Sequence, residues 1–302
     1  MKAQIIYNPT SGKNRHTKED VEKFVSKGNF SKVKFASTEE EHWERFDANH
    51  PDVIFLAGGD GTVHKVAKVL LESKKIDSHT PVHILPMGTA NNISKTLRIG
   101  SSYISHRFNT VKYLKRFDVG RVKGFREREF FLEAVGAGVF PALVSRIKNM
   151  QITSFSKSEE IEKSLEVLLD VVRNFKAQRA VIKTEGITIS GHFLLVEVMN
   201  IQYIGPNFEL APTANPGDGY FDLVLIPEEK REQLLDYIQK MIEEFADEED
   251  LKDMVFSMRV KKTEIQWDGP DVHVDDELIQ GFSGGSFVVD LDPERLKFVK
   301  DL

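Results

Sequence analysis

The chain has 302 residues, of which 40% are hydrophobic and 29% are charged, and its formal net charge is −6. This length allows one large or two medium domains with their own hydrophobic cores. The acidic balance argues against a nucleic-acid partner, because general nucleic-acid-binding proteins are normally basic. The absence of cysteine excludes thiol catalysis, disulfides and cysteine-based zinc sites, and it is consistent with a reducing cytoplasm.

The sequence contains no pattern of a membrane-spanning helix. Its apolar runs all fall short of the ~20 residues that such a helix needs. The first four residues lead directly into a strand-like segment at 5–7, so we expect no signal peptide. Any contact with a membrane is therefore expected to be peripheral.

Strand and helix patterns alternate through the first 118 residues. Short apolar strand patterns occur at 5–7, 33–36, 53–56 and 82–85. Residues 17–28 have a helix pattern, and so do residues 63–71, where apolar positions recur with helical spacing. The Thr-Glu-Glu-Glu segment at 38–41 is typical of a helix start with an acidic first turn. The alternation predicts a parallel sheet with helices on both faces, which is a three-layer α/β/α domain.

Three of these strands end in polar turns that are rich in small residues. Their residues are Asn8, Pro9, Ser11 and Gly12 in the first turn, Gly58, Gly59, Asp60, Gly61 and Thr62 in the second, and Gly88, Thr89, Asn91 and Asn92 in the third. In parallel sheets, ligands bind at the carboxyl ends of the strands. Glycines allow close approach to the backbone, and N–H groups at a helix start attract anions. An Asp beside a phosphate needs a cation between them, most simply Mg²⁺.

The glycine-rich turn at 58–62 also has a plainer interpretation. Asp60 or Thr62 would then serve only as the cap of the following helix. A cap does not need three glycines, which favours a binding role. The segment is neither a Walker A motif nor the GxGxxG fingerprint of dinucleotide-binding proteins.

From residue 119 the helical alternation stops, and the patterns predict a second, mostly antiparallel β domain over residues 119–289. The predicted strands lie at 130–138, 180–182, 187–189, 193–198, 256–267 and 286–290, and the predicted helices at 161–175 and 228–253. Gly136 and Gly138 are interpreted as a packing or bulge feature. We expect the C-terminal tail, residues 290–302, to return to the first domain, which spans residues 1–118.

Two turns of the second half carry carboxylates. Asp218 follows Asn215-Pro-Gly and precedes another glycine, which predicts a hairpin turn, although such a turn can also offer oxygens to a hard cation. Asp275, Asp276 and Glu277 are consecutive. Neighbouring carboxylates repel one another unless a cation or hydrogen bonds compensate, and this can raise the pKa of one of them. A plain acidic hairpin turn is the alternative.

The Gly-Gly-Asp-Gly-Thr segment at 58–62 resembles the GGDGT signature of the diacylglycerol kinase catalytic-domain superfamily of lipid kinases, which includes bacterial diacylglycerol kinases and sphingosine kinases. Further segments match the family's pattern in order: N-P-x-S-G at 8–12, P-x-G-T-x-N-D at 86–92, D-G-x-[FL]-[DT]-L at 218–223 and V-D-G-E at 274–277. Two positions depart from it. Asn92 stands where relatives usually carry Asp, and Asp276 stands in place of a glycine, whose positive φ a residue with a Cβ disfavours.

The resemblance implies an α/β plus β fold whose second domain is a β-sandwich, and an ATP- and Mg²⁺-dependent kinase acting on a lipid hydroxyl, foremost that of diacylglycerol. The implied nucleotide-binding residues are Asn8, Pro9, Ser11, Gly12, Thr38, Gly58, Gly59, Asp60, Gly61, Thr62, Gly88, Thr89 and Asn91. Asp60 would position the Mg²⁺–phosphate unit, and Glu277 would be the general base. The Asp218 carboxylate and backbone oxygens near Asn215 and Tyr220 would bind a structural Mg²⁺.

The resemblance also implies a lipid substrate at a membrane surface, and hence a cytoplasmic protein that associates peripherally with that membrane. It leaves open whether the chain forms a homodimer. Two other functions stay open. A NAD kinase-like phosphotransferase shares the glycine-rich Asp turn, and a nucleotide- or lipid-binding regulator without turnover is favoured by the departures at Asn92 and Asp276.

Overall fold

The computed structural model of the chain describes residues 1–12, 17–25, 30–44, 50–73, 76–100, 113–126, 129–150, 156–244 and 246–300. Contacts divide the chain into two compact units. Unit 1 is Met1–Asp118 with Pro293–Leu302, and unit 2 is Val119–Asp292. The two points of division fall within strands, which are β5 (Leu114–Lys123) and β17 (Gly285–Val299).

Unit 1 contains a parallel sheet whose strands alternate with helices along the chain. The strands are β1 (Lys2–Tyr7), β2 (Lys32–Ser37), β3 (Val53–Gly58) and β4 (Val82–Pro86), and the helices are α1 (Lys18–Val25), α2 (Asp60–Glu72) and α3 (Asn92–Thr96). The strands lie in the order β2-β1-β3-β4, with parallel pairing throughout. The end of β17 extends the sheet in the same direction, with Phe298 beside Val82.

The apolar patterns of β3 and α2 explain this arrangement. All six residues of β3 are buried, as expected for a strand that is covered on both faces. α2 contacts β3, and its buried face includes Val63, Val66 and Leu70. The helix predicted from the spacing of these residues is therefore confirmed.

One helix start predicted for unit 1 is wrong. The segment after β2 forms turns, and no helix begins at Thr38. The N–H of Glu40 donates to the carbonyl of Ser37 at 3.0 Å, and the N–H of Trp43 donates to that of Glu40 at 3.4 Å; these are the i→i+3 bonds of turns. His42 has a φ of 67°, a left-handed conformation that does not continue a right-handed helix.

Unit 2 is built mainly of antiparallel strands. They are β6 (Phe130–Phe131), β7 (Ala134–Gly138), β8 (Gln178–Thr184), β9 (Ile187–Met199), β10 (Tyr203–Ile204), β11 (Phe208–Glu209), β12 (Phe221–Pro227), β13 (Phe256–Val260), β14 (Lys262–Trp267), β15 (Val272–Val274) and β16 (Glu277–Leu278). The order across the sheet is β16-β15-β7-β9-β8-β14-β17, and β12 pairs with both β9 and β13. β10 and β11 form a separate ribbon.

Helices cover one hydrophobic cluster among the described residues of unit 2. These helices are α4 (Val139–Asn149), α5 (Lys157–Asn174), α6 (Arg231–Ile242) and α7 (Glu248–Lys252), with a short 3₁₀ helix at Glu228–Lys230. Leu195 and Met199 of β9 belong to the cluster under the helices. Val196 and Val198 belong to a second cluster, because successive residues of a strand point to opposite faces.

In the described part of the chain, no helix combines the length and the apolar character that crossing a membrane would require.

Three elements of unit 2 differ from the prediction, each for a local reason. α4 was not predicted; Gly138, with a φ of 117°, turns the chain from β7 directly into this helix. β9 is one strand of 13 residues that passes through Gly191, where two strands were expected. The helix expected over 228–253 is interrupted after α6, where Glu244 adopts a φ of 61°.

A buried histidine of the central sheet gives a test of this packing. The ring of His83 on β4 lies 5.5 Å from the ring of Phe55 on β3, and burial lowers the pKa of His83 to about 4. Because this folded-state pKa is below the unfolded one, the contribution of neutral His83 is complete above the unfolded-state pKa and is lost as the pH falls toward the folded-state value.

When the pH falls from about 7 to about 5, we therefore expect the unfolding free energy of the wild type to fall by about 2 kcal/mol more than that of His83→Leu. Urea unfolding of both proteins at the two pH values measures the difference. An equal loss in both proteins would contradict the buried, neutral state of His83.

Candidate functional site

The second and third polar turns of unit 1 are in backbone contact. A Cβ added to Gly59 would lie 2.9 Å from the Cα of Gly88 and 3.5 Å from the hydroxyl oxygen of Ser11. A Cβ added to Gly88 would lie 2.5 Å from the Cα of Gly59. Real Cβ atoms essentially never approach a neighbour that closely. The arrangement therefore requires glycine at both positions, and it brings Ser11 of the first turn to the same place.

A side chain joins the first turn to the second. Asn8 follows β1, and its backbone N–H donates to the carbonyl of Ala57 at 2.9 Å. Its Nδ2 donates to Oγ1 of Thr62 at 3.1 Å, while its Oδ1 accepts from the N–H and the hydroxyl of Thr10 at 3.1 and 2.9 Å. Asn8 thus fixes Thr62 in the first turn of α2.

Three further residues of the predicted set lie at this edge of the sheet. The N–H of Thr38, just after β2, donates to the carbonyl of Tyr7 at the end of β1 at 2.9 Å. Gly12 has a φ of 67°, a conformation that favours glycine. Pro9 and Gly12 are both partly exposed. The first turn therefore lies beside the end of β2 and remains accessible to a ligand.

The start of α2 is open to an anion. Gly59 is the N-cap of this helix, and no side chain caps it. Gly61, in the first turn, is exposed. A Cβ added to Gly58 would lie 2.6 Å from the Cβ of Thr62, so glycine is needed here for the helix to begin so close to the strand. N–H groups at an uncapped helix start can bind an anionic group such as a phosphate.

Asp60 connects the second turn to the third. Its Oδ2 accepts the N–H of Asn92 at 2.9 Å, and its Oδ1 accepts the N–H of Ile93 at 3.1 Å. The carboxylate therefore caps α3. The alternative that Asp60 caps α2 is wrong, because no side chain caps that helix, and the Mg²⁺–phosphate role of Asp60 stays a prediction. Asn92, which stands where the family pattern has Asp, lies at this junction. Its backbone N–H binds Asp60, and its side chain is buried.

The third turn is closed by its own asparagine. Asn91 adopts a left-handed conformation with a φ of 54°. Its Oδ1 accepts the N–H of Gly88 at 2.9 Å, and its Nδ2 donates to the carbonyl of Gly88 at 2.8 Å. Asn91 therefore shapes the turn around Gly88, and the neighbouring Thr89 is partly exposed.

Lys95 lies near this edge, although the sequence did not single it out. It is on α3, three residues after Asn92, and it interacts electrostatically with Asp60. Partial burial lowers the pKa of Lys95, and the negative charge of Asp60 opposes that effect. Its place in the sequence could have been recognised from its distance to Asn92, because residues three apart lie on the same face of a helix. A lysine at this position supplies a positive charge, which favours the binding of a phosphate group.

The predicted base lies in unit 2, in the hairpin of β15 and β16. Val274 pairs with Glu277, so Asp275 and Asp276 form a two-residue turn. Asp276 and Glu277 are exposed, whereas Asp275 is buried. The positive φ expected at Asp276 occurs at Asp275 instead, at 52°. The three carboxylates are thus separated into one buried acceptor and two exposed groups.

The predicted Mg²⁺ ligands lie in a tight turn before β12. The carbonyl of Asn215 accepts the N–H groups of Gly217 and Asp218 at 2.7 and 3.2 Å. The Asp218 carboxylate accepts the N–H of Tyr220 at 3.1 Å and pairs with Arg259 at 2.6 Å. The guanidinium of Arg259 also lies over the Tyr220 ring, 4.1 Å from its centre.

This donor set does not fit the predicted structural Mg²⁺ as it is arranged. Its cation position beside Asp218 is taken by a guanidinium, and the carbonyl of Asn215 already accepts two N–H groups. Across the residues that the structure describes, no group of three or more His, Asp or Glu side chains could hold a metal ion.

Two family models match the chain. Residues 2–122 match the diacylglycerol kinase catalytic domain, and residues 134–297 match the YegS C-terminal NAD kinase beta sandwich-like domain. The first match contains all three polar turns of unit 1. The second contains the turn at Asp218 and the hairpin of Glu277.

Individual proteins that are similar to this chain are diacylglycerol kinases. The diacylglycerol kinase of Bacillus subtilis (strain 168) is 27% identical over 247 residues, which cover 79% of this chain and 77% of that protein. The diacylglycerol kinase of Staphylococcus saprophyticus is 26% identical over 237 residues, with 74% and 72% covered. A solved structure of a diacylglycerol kinase from Bacillus anthracis str. Sterne is 20% identical, with a TM-score of 0.68 and 99% and 97% covered. The structural likeness and the β-sandwich match confirm the predicted fold class.

The contact of the two glycines predicts the effect of adding a methyl group. Gly88→Ala should separate the second and third turns, weaken binding of a nucleoside triphosphate and destabilise the fold by about 1–3 kcal/mol. Gly191→Ala is the matched control, because a Cβ there meets only ordinary 3.4 Å contacts with Phe193. Thermal unfolding and calorimetric titration measure both effects. Equal behaviour of the two variants would contradict the close approach.

The pairing of Asp218 with Arg259 predicts how stability responds to Mg²⁺. We expect the wild type to unfold at the same temperature in excess Mg²⁺ and in EDTA. Arg259→Met leaves the Asp218 carboxylate without its guanidinium, so Mg²⁺ should raise the unfolding temperature of this variant. Arg179→Met, which removes an ion pair with Asp268, is the control and should not respond. Stabilisation of the wild type by Mg²⁺ would contradict the assignment.

Proposed function

Because the chain belongs to the diacylglycerol kinase catalytic-domain superfamily of lipid kinases, which are phosphotransferases with an alcohol group as acceptor, we propose that it transfers the γ-phosphate of ATP to a lipid hydroxyl. The leading acceptor is diacylglycerol, which would become phosphatidic acid. Mg²⁺ enters the reaction with the nucleotide, as part of the MgATP substrate.

The convergence of three turns in unit 1 carries this proposal. Gly59 and Gly88 have no side chain at their point of contact, and α2 begins there without a side-chain cap. A triphosphate is the kind of ligand that such a glycine-lined helix start can accept. Lys95, at the same edge, adds a positive charge.

Asp60 has a positioning role in this account. By accepting the N–H groups of Asn92 and Ile93, it holds the third turn against the second. A nucleotide that contacts both turns then finds them already in place. Positioning of this kind supplies most of the catalysis in phosphoryl transfer.

Glu277 is the proposed general base. The acceptor oxygen of the lipid attacks the γ-phosphorus, its proton passes to the Glu277 carboxylate, and the bond from the γ-phosphorus to the bridging oxygen breaks to release ADP. Exposure of Glu277 supports this role, since the carboxylate must reach a substrate. Asp275 cannot take the role, because its carboxylate is buried against backbone N–H groups.

The proposed lipid substrate implies that the protein acts at a membrane surface. A lipid hydroxyl is presented at the bilayer surface, and ATP is a cytoplasmic metabolite, so we propose peripheral association with the cytoplasmic face of a membrane. A homodimer is compatible with this account but is not required by it.

Each of two other functions is favoured by one specific observation. The match of unit 2 to an NAD kinase beta sandwich-like domain favours NAD as an alternative acceptor. Asn92, an amide at the position where the family pattern has Asp, favours a regulator that binds nucleotide without turnover. Both are separated from the lipid kinase by the assay that follows.

Transfer of labelled phosphate from γ-labelled ATP to diacylglycerol, other lipid alcohols and NAD in mixed micelles tests the proposal. Wild type should label a lipid, and Glu277→Gln should lower the rate by about a hundredfold or more. Asp276→Asn, which changes the exposed carboxylate next to it, is the matched control and should keep most of the activity. Labelled NADP, or no labelled product from folded wild type, would contradict the proposal.

A further inference from the structure

Glu197 and His273 form a buried pair that the proposed reaction does not use. Their exposures are 0% and 2%. Nε2 of His273 lies 2.9 and 3.0 Å from the two carboxylate oxygens of Glu197, and Nδ1 lies 2.5 Å from the carbonyl oxygen of Asp275. Buried ionisable pairs often stabilise a fold no better than apolar residues of similar volume. The pair therefore points to a role other than bulk stability.

The pair is built across three neighbouring strands. His273 on β15 lies opposite Gly136 on β7, and Gly136 lies opposite Glu197 on β9. A Cβ added to Gly136 would lie 2.1 Å from a carboxylate oxygen of Glu197. The absence of a side chain on the middle strand therefore makes the room in which the imidazole and the carboxylate meet.

The contacts determine where the protons lie. The carbonyl oxygen of Asp275 can only accept, so Nδ1 of His273 carries a proton and donates it. A proton must also lie between Nε2 and the Glu197 carboxylate, since otherwise their lone pairs would face each other. Both ring nitrogens are therefore engaged, and the orientation of the imidazole is fixed from two sides.

This imidazole supports the turn that carries the proposed base. Asp275 is the first residue of the turn, and Glu277 is the first residue of β16. The Asp275 carboxylate accepts, at 2.8 to 3.2 Å, the N–H groups of Leu132, Glu133 and Ala134. The turn is thus held at its carboxylate by Leu132, Glu133 and the first residue of β7, and at its carbonyl by His273.

We propose that Glu197 and His273 are positioning residues, in which the imidazole fixed by Glu197 holds the Asp275 carbonyl and thereby sets the position of Glu277. The inference rests on the proposed function for the role of Glu277, but the support of the hairpin can be measured without any activity.

The titration of the pair gives a signature of this role. Burial raises the pKa of Glu197. Burial alone would lower the pKa of His273, but Glu197 from β9 and Asp275 from its own hairpin raise it. These two are the charged groups that act on the imidazole among the described residues. Because the folded-state pKa of His273 is raised, the bond from Nε2 to Glu197 is complete below the unfolded-state pKa. It is lost as the pH rises through the folded-state value, where the Nε2 lone pair would face the carboxylate and Glu197 would no longer fix the imidazole.

Hydrogen exchange of the wild type and three variants tests the support of the hairpin. In Glu197→Ala, the amides of residues 132–134 and 275–277 should exchange about tenfold faster or more. Val196→Ala, on the same strand but in the other hydrophobic cluster, is the control and should leave these amides unchanged. Glu197→Gln should behave as the wild type, because its amide can donate to Nε2. Equal exchange in Glu197→Ala and Val196→Ala would overturn the inference.

Kinetics of lipid phosphorylation separate positioning from stability. Glu197→Ala should lower kcat by about tenfold or more and leave the KM for MgATP unchanged. Glu197→Gln should keep kcat and lose the decline at alkaline pH that we expect of the wild type. An unchanged kcat in Glu197→Ala, or the same alkaline decline in Glu197→Gln, would overturn the inference. If the wild type transfers no phosphate, the proposed function fails, and hydrogen exchange still decides the role of the pair.

If Glu197→Ala does not fold, Glu197→Gln decides the question. Faster exchange of the hairpin in this variant, or an alkaline decline identical to that of the wild type, would overturn the inference. Wild-type exchange together with loss of the alkaline decline would support it.

Discussion

The backbone contact between Gly59 and Gly88 is the constraint on which the candidate nucleotide site depends. It forces the second and third turns together, and no side chain fits between them. Asp60 then locks the pair of turns by binding the start of α3, and Asn8 ties the first turn to Thr62. The three turns are therefore held together by backbone contacts and short polar side chains, which preorganises the proposed phosphate site.

In unit 2 the fold separates three consecutive carboxylates, of which Asp275 is buried and Asp276 and Glu277 are exposed. Asp275 is removed from the row by burial against three backbone N–H groups, and it takes the left-handed conformation that the turn needs. Glu277 remains exposed on the following strand. The Glu197–His273 pair beneath the turn makes this arrangement rigid, at the cost of burying two ionisable groups.

The sequence predicted the alternating first half and the three turns because their signals are local: apolar runs, helical spacing and glycines at strand ends. It missed α4, because Gly138 ends a strand and starts a helix within a single residue. It also assigned no role to Glu197, His273 or Arg259, whose partners lie far away in the chain. His273 and Glu197, for example, are 76 residues apart and meet only because Gly136 separates their strands. Pairing across strands leaves no pattern in one sequence.

Hydrogen exchange of the wild type with and without a non-hydrolysable MgATP analogue tests the central claim most directly. The account predicts slower exchange at the amides of residues 8–12, 58–62 and 88–93 and unchanged exchange in β13 and β14. Binding of the analogue that leaves these three turns unaffected would show that the nucleotide lies elsewhere and would contradict the account.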